Sequence, residues 1–203
     1  VAYHMDGVFI ASPFALGTDF LDVERIEVLR GPQPTLFGKN AIGGVVSVTS
    51  AKPTEEFEGK FSTSHESEHD ESQSLLVLSG PLSENLLGRL TVSTREMDGW
   101  ITNEKMKRLE PQRDETYIRG QLAWTSGNVD WNLKVESADF DSVGYAMEAL
   151  APQDGYSLIF AGPIAVETTE NWVRSSGETF SQNTMDNFVL TSNYPMDNGG
   201  TLT

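Results

Sequence analysis

From Phe57 onward, apolar and polar positions alternate with a period of two. In the stretch 116–125 one face carries Thr116, Ile118, Gly120, Leu122 and Trp124, and the other Tyr117, Arg119, Gln121 and Ala123. In 129–137 one face carries Val129, Trp131, Leu133 and Val135, and the other Asp130, Asn132, Lys134 and Glu136. Two such segments joined by Ser126-Gly127-Asn128 predict a β-hairpin with one apolar and one charged face. Upstream, Leu86, Gly88, Leu90 and Val92 alternate with Arg89, Thr91, Ser93 and Arg95; downstream, Phe188, Leu190 and Tyr194 alternate with Asn187, Thr191 and Asn193. Helical periodicity is weak throughout. The predicted strands are 57–66, 72–79, 86–96, 114–125, 129–139, 184–194 and a last one beginning near Gly200.

The connections alternate in length. Those at 80–85, 126–128 and 195–199 are short and rich in turn residues; those at 97–113 and 140–183 are long, with a brief one at 67–71 on the same side. Long structureless loops are uncommon within a compact soluble domain. Strands of about 10–12 residues with short turns at one end and long loops at the other match an outer-membrane β-barrel. Trp124 and Trp131 both face outward beside one short turn, where an interfacial aromatic girdle belongs. A soluble sandwich with one wet face per sheet gives the same alternation, so the strand pattern leaves both readings open.

Residues 1–53 differ in character. They predict a small mixed unit with strands at Val8–Ile10, Glu24–Leu29 and Gly44–Thr49 and a short turn or helix near Thr18–Asp22. Between the last two strands lies a loop, RGPQPTLFGKNAIGG, containing Gly31, Gly38, Gly43 and Gly44 together with Pro32 and Pro34. It is not a phosphate-binding P-loop. Six residues separate Gly31 from Gly38-Lys39 where four are required, Asn40 stands where the metal-binding hydroxyl belongs, and the prolines remove amide donors. A fixed tight bend is the better reading, with glycines that admit positive φ and close backbone approach.

Composition narrows the partners. The 203 residues include 14 Lys+Arg against 30 Asp+Glu, a formal net charge of -16, and no cysteine. Such an acidic chain lacks the clustered cations that bind nucleic acid. No apolar run is long enough for a transmembrane helix. The opening Val1–Gly7 reads as part of a strand rather than as a leader peptide. One local spelling, His65-Glu66-Ser67-Glu68-His69, matches the HExxH of zinc peptidases. That chemistry needs a helix to bring both imidazoles to one side. Here the motif falls at the tip of a predicted hairpin, so a solvated acidic loop is expected, with at most a weak cation site at His65, His69 and Asp70. No enzymatic activity and no cofactor are expected.

The segment DVERIEVLRGPQPTLFGKNAIGGVVSVTSAKP, Asp22 to Pro53, resembles the end of the plug domain of TonB-dependent outer-membrane receptors, and VAYHMDGVFIA resembles the preceding plug strand. Downstream, SGPL at Ser79–Leu82 and LLGRLTVSTREMDGW at Leu86–Trp100 are similar to the family's first barrel hairpins. Pro34 departs from the pattern, standing where the family most often has glycine. The resemblance implies a small α/β plug remnant in 1–53, followed by mainly antiparallel β structure in 54–203. That second part would supply about six or seven strands of a 22-stranded transmembrane barrel, making the chain a fragment of a longer protein.

The resemblance further implies a place in the Gram-negative outer membrane, with lipid around the barrel. There, a scarce nutrient is bound from outside and released by force transmitted through TonB and its inner-membrane complex. Ferric siderophores are the foremost cargo; cobalamin, haem and oligosaccharides use the same architecture. External loops are expected at Ser67–Glu71, Met97–Arg113 and Phe140–Asn183, where Tyr145, Tyr156, Phe160, Trp172 and Phe180 either stack on cargo or pack the loop. The plug signature comprises Glu24, Arg25, Arg30, Gly31, Gly38, Asn40, Gly43 and Gly44. Glu24 and Arg30 are expected on one face of their strand and Arg25 on the other, and Arg25 and Arg30 are expected either to pair with carboxylates of the barrel wall or to lie solvated.

Overall fold

The computed structural model describes residues 1–10, 21–38, 40–144, 173–174, 177–196 and 200–203. Two sheets dominate. The first has the order β2-β1-β4-β3 and consists of β1 (Ala2–Met5), β2 (Val8–Phe9), β3 (Val23–Leu29) and β4 (Val45–Ser50). Asp6 and Gly7, both at positive φ, close the β1–β2 hairpin, with Met5 opposite Val8. A two-residue Asp-Gly loop of this kind matches the twist of the strands it joins. β1 runs parallel to β4, and β3 antiparallel to it.

The glycine-rich loop between β3 and β4 contains one short helix, α1 (Pro34–Phe37), and a 3₁₀ turn at Ala41–Gly43. Pro34 stands at the first turn of α1, where its missing N–H costs nothing. Gly44 has φ 114, and a Cβ there would lie 2.6 Å from the Leu29 carbonyl oxygen. Only glycine lets the loop re-enter the sheet so close to β3. Ala2, Ala41 and Val45 form the buried core, with Phe9, Leu29 and Phe37 packed against it. The His4 ring is buried beside Phe9 and Phe37, and neither ring nitrogen has a hydrogen-bond partner among the described residues.

The second sheet is an antiparallel meander. β5 (Glu58–Glu66), β6 (Glu71–Ser83), β7 (Leu86–Met97), β10 (Gln112–Ser126), β11 (Val129–Val143), β13 (Phe180–Pro195) and the short β14 (Thr201–Leu202) pair in that order. Each predicted strand is present, and most are longer than the pattern indicated. β6 continues to Ser83 through what read as a turn at 80–85, because Pro81 sits at a bulge between Pro81 and Ser83 where its missing donor is tolerated. The hairpin at Gly127-Asn128 closes with Ser126 opposite Val129.

The expected structureless loop at 97–113 is instead a small sheet of β8 (Ile101–Asn103) and β9 (Arg108–Glu110), joined by β12 (Val173–Arg174) pairing parallel to β8. Its interior holds Ile101 and Asn103 beside a fully buried Glu110 carboxylate, which accepts from Arg108 Nε at 2.9 Å and Asn103 Nδ2 at 3.1 Å. Of the loop aromatics, only Phe180 is described, and it is exposed. Tyr145, Tyr156, Phe160 and Trp172 lie outside the described residues, as do Thr18–Phe20 of the predicted turn and residues 197–199.

Register resolves the two faces of the large sheet. Phe61, Leu76, Val92 and Ile118 form one cross-strand row on its outer face; Leu78, Leu90, Gly120, Val135 and Phe188 form the next; Gly88, Leu122, Leu133 and Leu190 a third. Many of these side chains are exposed. The first row turns polar at Ser137 and Asp186, so the apolar band drops by one row between β10 and β11. A level hydrocarbon slab crossing tilted strands produces this offset. At the turn end Trp124 and Trp131 stand opposite each other and stack at 5.9 Å.

Candidate functional site between the two sheets

The inner face of the large sheet is covered in part by the small sheet, and the two are fastened by charge. Arg89, Gln121 and Lys134 lie side by side on β7, β10 and β11, and Thr91, Arg119, Glu136 and Asn187 form the adjacent row. All of these rise from the polar half of the alternation. Their side chains therefore share one face, across strands held at the usual ladder spacing.

Two carboxylates of the small sheet engage them. Asp22 sits at φ 52 just before β3, a left-handed conformation that aspartate tolerates. Its carboxylate receives both Arg89 Nε, at 2.8 Å, and Arg89 Nη2, and accepts Thr91 Oγ1 at 2.6 Å. Arg119 Nη1 donates to the Leu21 and Asp22 carbonyls at 3.3 and 3.2 Å. Asp6, held out by its turn, accepts the Ser50 amide at 2.8 Å and the Ser50 hydroxyl at 2.7 Å, and binds Lys134 Nζ. Burial alone raises both carboxyls. The Lys134 ammonium with the Ser50 donors outweighs it at Asp6, and Arg89 with Thr91 outweighs it at Asp22, so both end below the ordinary aspartate value.

Glu136 is the hub on the wall. It is fully buried and accepts four donors: Tyr117 Oη at 2.7 Å, Arg119 Nε at 2.8 Å, Lys134 Nζ at 2.9 Å and Asn187 Nδ2 at 2.8 Å. Such full satisfaction is what makes a buried charge tolerable. Three cations face three carboxylates, so the junction is close to neutral while assembled. Gln121 Nε2 adds a bond to Ser50 Oγ at 3.2 Å, and Thr54 N reaches Ser79 Oγ at 2.9 Å where the chain passes from one sheet to the other. Below this network lies a cleft of about 410 Å³ lined by Asp6, Arg25, Lys52, Lys134, Asn132 and Thr191 among others.

The residues singled out from sequence are placed differently. Arg25 Nη1 lies 2.8 Å from Glu24 and Arg25 Nε 3.3 Å from Glu27, all three half exposed on β3. Arg30 is exposed. The structure brings neither arginine to a wall carboxylate among the described residues; the polarity is reversed, with carboxylates on the small sheet and cations on the wall. Gly31, Gly38 and Asn40 adopt positive φ, and Gly43 lies in the 3₁₀ turn, so the loop signature shapes backbone.

HESEH is resolved by geometry. His65 is in β5, with its ring bonded to Ser72 at 3.0 Å, and His69 is on the turn, 2.7 Å from Glu66. The helical convergence required of a zinc peptidase is not made. Among the described residues, the set whose ligand atoms approach one another is Glu66, Glu68 and His69 at the exposed tip, rather than His65, His69 and Asp70.

The sequence model of the TonB-dependent Receptor Plug Domain family matches residues 1–45. The chain is 28% identical to the ferrienterobactin receptor of Escherichia coli K12, over 88% of this chain and 25% of that protein. It is 35% identical to the pesticin receptor of Yersinia enterocolitica, over 77% and 22%. It spans about a quarter of the length of these curated relatives. Among solved structures, that of Pseudomonas aeruginosa FpvA bound to heterologous pyoverdines superposes with a TM-score of 0.79, at 19% identity over 98% of this chain and 26% of that one. The plug-family match over residues 1–45, the similarity to named receptors and the fold shared over 98% of the chain lead to one conclusion: the chain carries part of a TonB-dependent receptor plug domain and is similar over most of its length to outer-membrane receptors of that kind.

Proposed function

We propose that the protein carrying this chain takes up a ferric siderophore across the outer membrane, with energy delivered through TonB. Residues 1–53 are the C-terminal part of its plug and 54–203 the first part of its barrel wall. The division is supported by the plug-family match to 1–45 and by the change of sheet between Ser50 and Glu58. The cargo class is supported by relatives named as receptors for ferrienterobactin and pesticin, and by the fold shared with a pyoverdine-binding receptor.

The observation that carries the reading is the buried ionic junction at Asp6, Asp22, Arg89, Arg119, Lys134 and Glu136. A plug fused to its wall by apolar packing would be costly to move. One held by hydrogen-bonded charges exchanges those bonds for water once force opens a gap, because water solvates each separated ion. The junction is thus firm at rest and separable under load. In this reading Glu24 on β3 and Arg30 just after it, both exposed, meet barrel wall beyond these seven strands, while Arg25 borders the cleft beside Lys134.

The test is radio-iron uptake by cells expressing the full-length protein, offered a panel of ferric siderophores. Saturable uptake that disappears with TonB is expected; uptake indifferent to TonB contradicts the proposal.

A further inference from the structure

We propose that the wall strip beneath Asp6 and Asp22 is a transit site for an anionic solute, closed at rest because those two carboxylates occupy it; this rests on the uptake reading above. The strip is built from neighbouring strands in register: Arg89 on β7, Arg119 on β10 and Lys134 on β11. Their side chains are 9%, 3% and 3% exposed. The charged ends are capped by Asp22, by the Leu21 and Asp22 carbonyls, and by Asp6. Every one of those caps belongs to the small sheet or its entry, and leaves with it.

Withdrawing Asp6 and Asp22 changes the balance. Lys60, inward on β5 opposite Val77, joins Arg89, Arg119 and Lys134, giving four cations. Against them stand Glu136, whose four donors hold it to the wall, and Glu58, which is 58% exposed and 3.7 Å from Arg89. The chain as a whole carries a net charge of -16, yet this part of its inner wall is cationic. A cationic lining in a confined, water-filled lumen with low-dielectric walls concentrates anions and rejects cations.

The strip also leads somewhere. The cleft of about 410 Å³ begins at Lys134 and runs beside Arg25 and Lys52 toward the turn end, past Asn132 and Thr191, with Asp6 the one carboxylate side chain lining it among the described residues. Moving Asp6 joins the cleft to Lys134, and moving Asp22 as well extends that cationic surface to Arg119 and Arg89. The carboxylates that lock the plug thereby act as stand-ins for the solute: an iron chelate bearing carboxylate or catecholate oxygens offers the same chemistry to the same three cations.

The experiment uses the full-length receptor in planar lipid bilayers, with urea displacing the plug reversibly. The reversal potential is read in a potassium chloride gradient. Relative to the wild type, R89Q/R119Q/K134Q is expected to shift the reversal potential toward the potassium equilibrium value. K134Q alone, which leaves Glu136 three other donors, is expected to shift it less in the same direction. D6N/D22N is expected to open at lower urea with the wild-type reversal potential. Unchanged reversal potentials in both cation variants overturn the proposal, as does a D6N/D22N shift as large as that of the triple variant. These outcomes are separate from those of the uptake assay: a selectivity shift without siderophore uptake keeps the strip and changes the cargo, whereas TonB-dependent uptake without a shift removes the strip alone.

Discussion

The residues that matter most lie far apart in the chain, and their pairing follows from charge. Asp22 is the clearest case, with its carboxylate 8% exposed and held by Arg89 through two nitrogens. Replacing one member of a buried pair strands the other, at a cost of about 3–5 kcal/mol. Asp22→Ala in the full-length receptor is therefore expected to raise hydrogen exchange across β3 and its entry while leaving β7, β10 and β11 protected; uniform loss of protection would show a fold defect instead. The pH dependence has a definite sign. Because the folded Asp6 and Asp22 carboxyls titrate below their ordinary value, the stability they contribute is complete above the unfolded pKa and is lost as pH falls through the lower folded one. Plug protection is expected to stay constant from neutral to mildly acidic pH and to fall only below the usual carboxylate range, as followed by protease nicking of the plug. A loss centred near pH 6–7, where histidine titrates, would assign the latch to another group.

At the scale of elements, the wall strands were legible because each has one face against lipid and one toward the lumen, which writes a period of two into the sequence. The ionic junction was not. A charged side chain facing a plug and one facing solvent occupy the same position in the alternation, so Lys134 and Glu136 read only as polar. The available signal was depth: Arg119, Lys134 and Glu136 lie at the same height as the apolar rows behind them, far from either rim. The sheet at 101–110 was missed for a related reason. Its interior is an Asn103–Arg108–Glu110 cluster around one Ile101, and a polar core leaves no hydrophobic pattern. Glu110→Gln removes a charge from hydrogen bonds worth about 1.5–3 kcal/mol. It is expected to loosen 101–110 in hydrogen exchange and to spare the barrel; unaltered protection there would mean that Ile101 alone holds the loop. In the plug, Gly44→Ala forces a Cβ to within 2.6 Å of the Leu29 oxygen at a φ that only glycine adopts freely. The strain is of order 1–3 kcal/mol, read as a lowered unfolding midpoint of the plug.

Across the whole molecule, one sheet separates two environments. Its outer rows, from Phe61 to Leu190, carry apolar side chains of which many are exposed, with Phe57 and Leu82 lying against their turn-side glycines, whereas its inner rows carry Arg89, Arg119, Lys134 and Glu136 against the plug. That asymmetry underlies both the membrane placement and the latch, since a low-dielectric surround strengthens the ionic junction inside it. The most direct test labels single cysteines, introduced into these 203 residues, which have none, with a fluorophore in a full-length receptor freed of any other cysteine and reconstituted in bilayers. Positions Leu90, Leu122 and Phe188 are to be compared with Ser93 and Ala123, using quenchers dissolved in lipid or in water. Lipid-borne quenching at the first three, and none at the other two, is the predicted result. Quenching of Leu90 and Leu122 labels by the aqueous agent alone would contradict it.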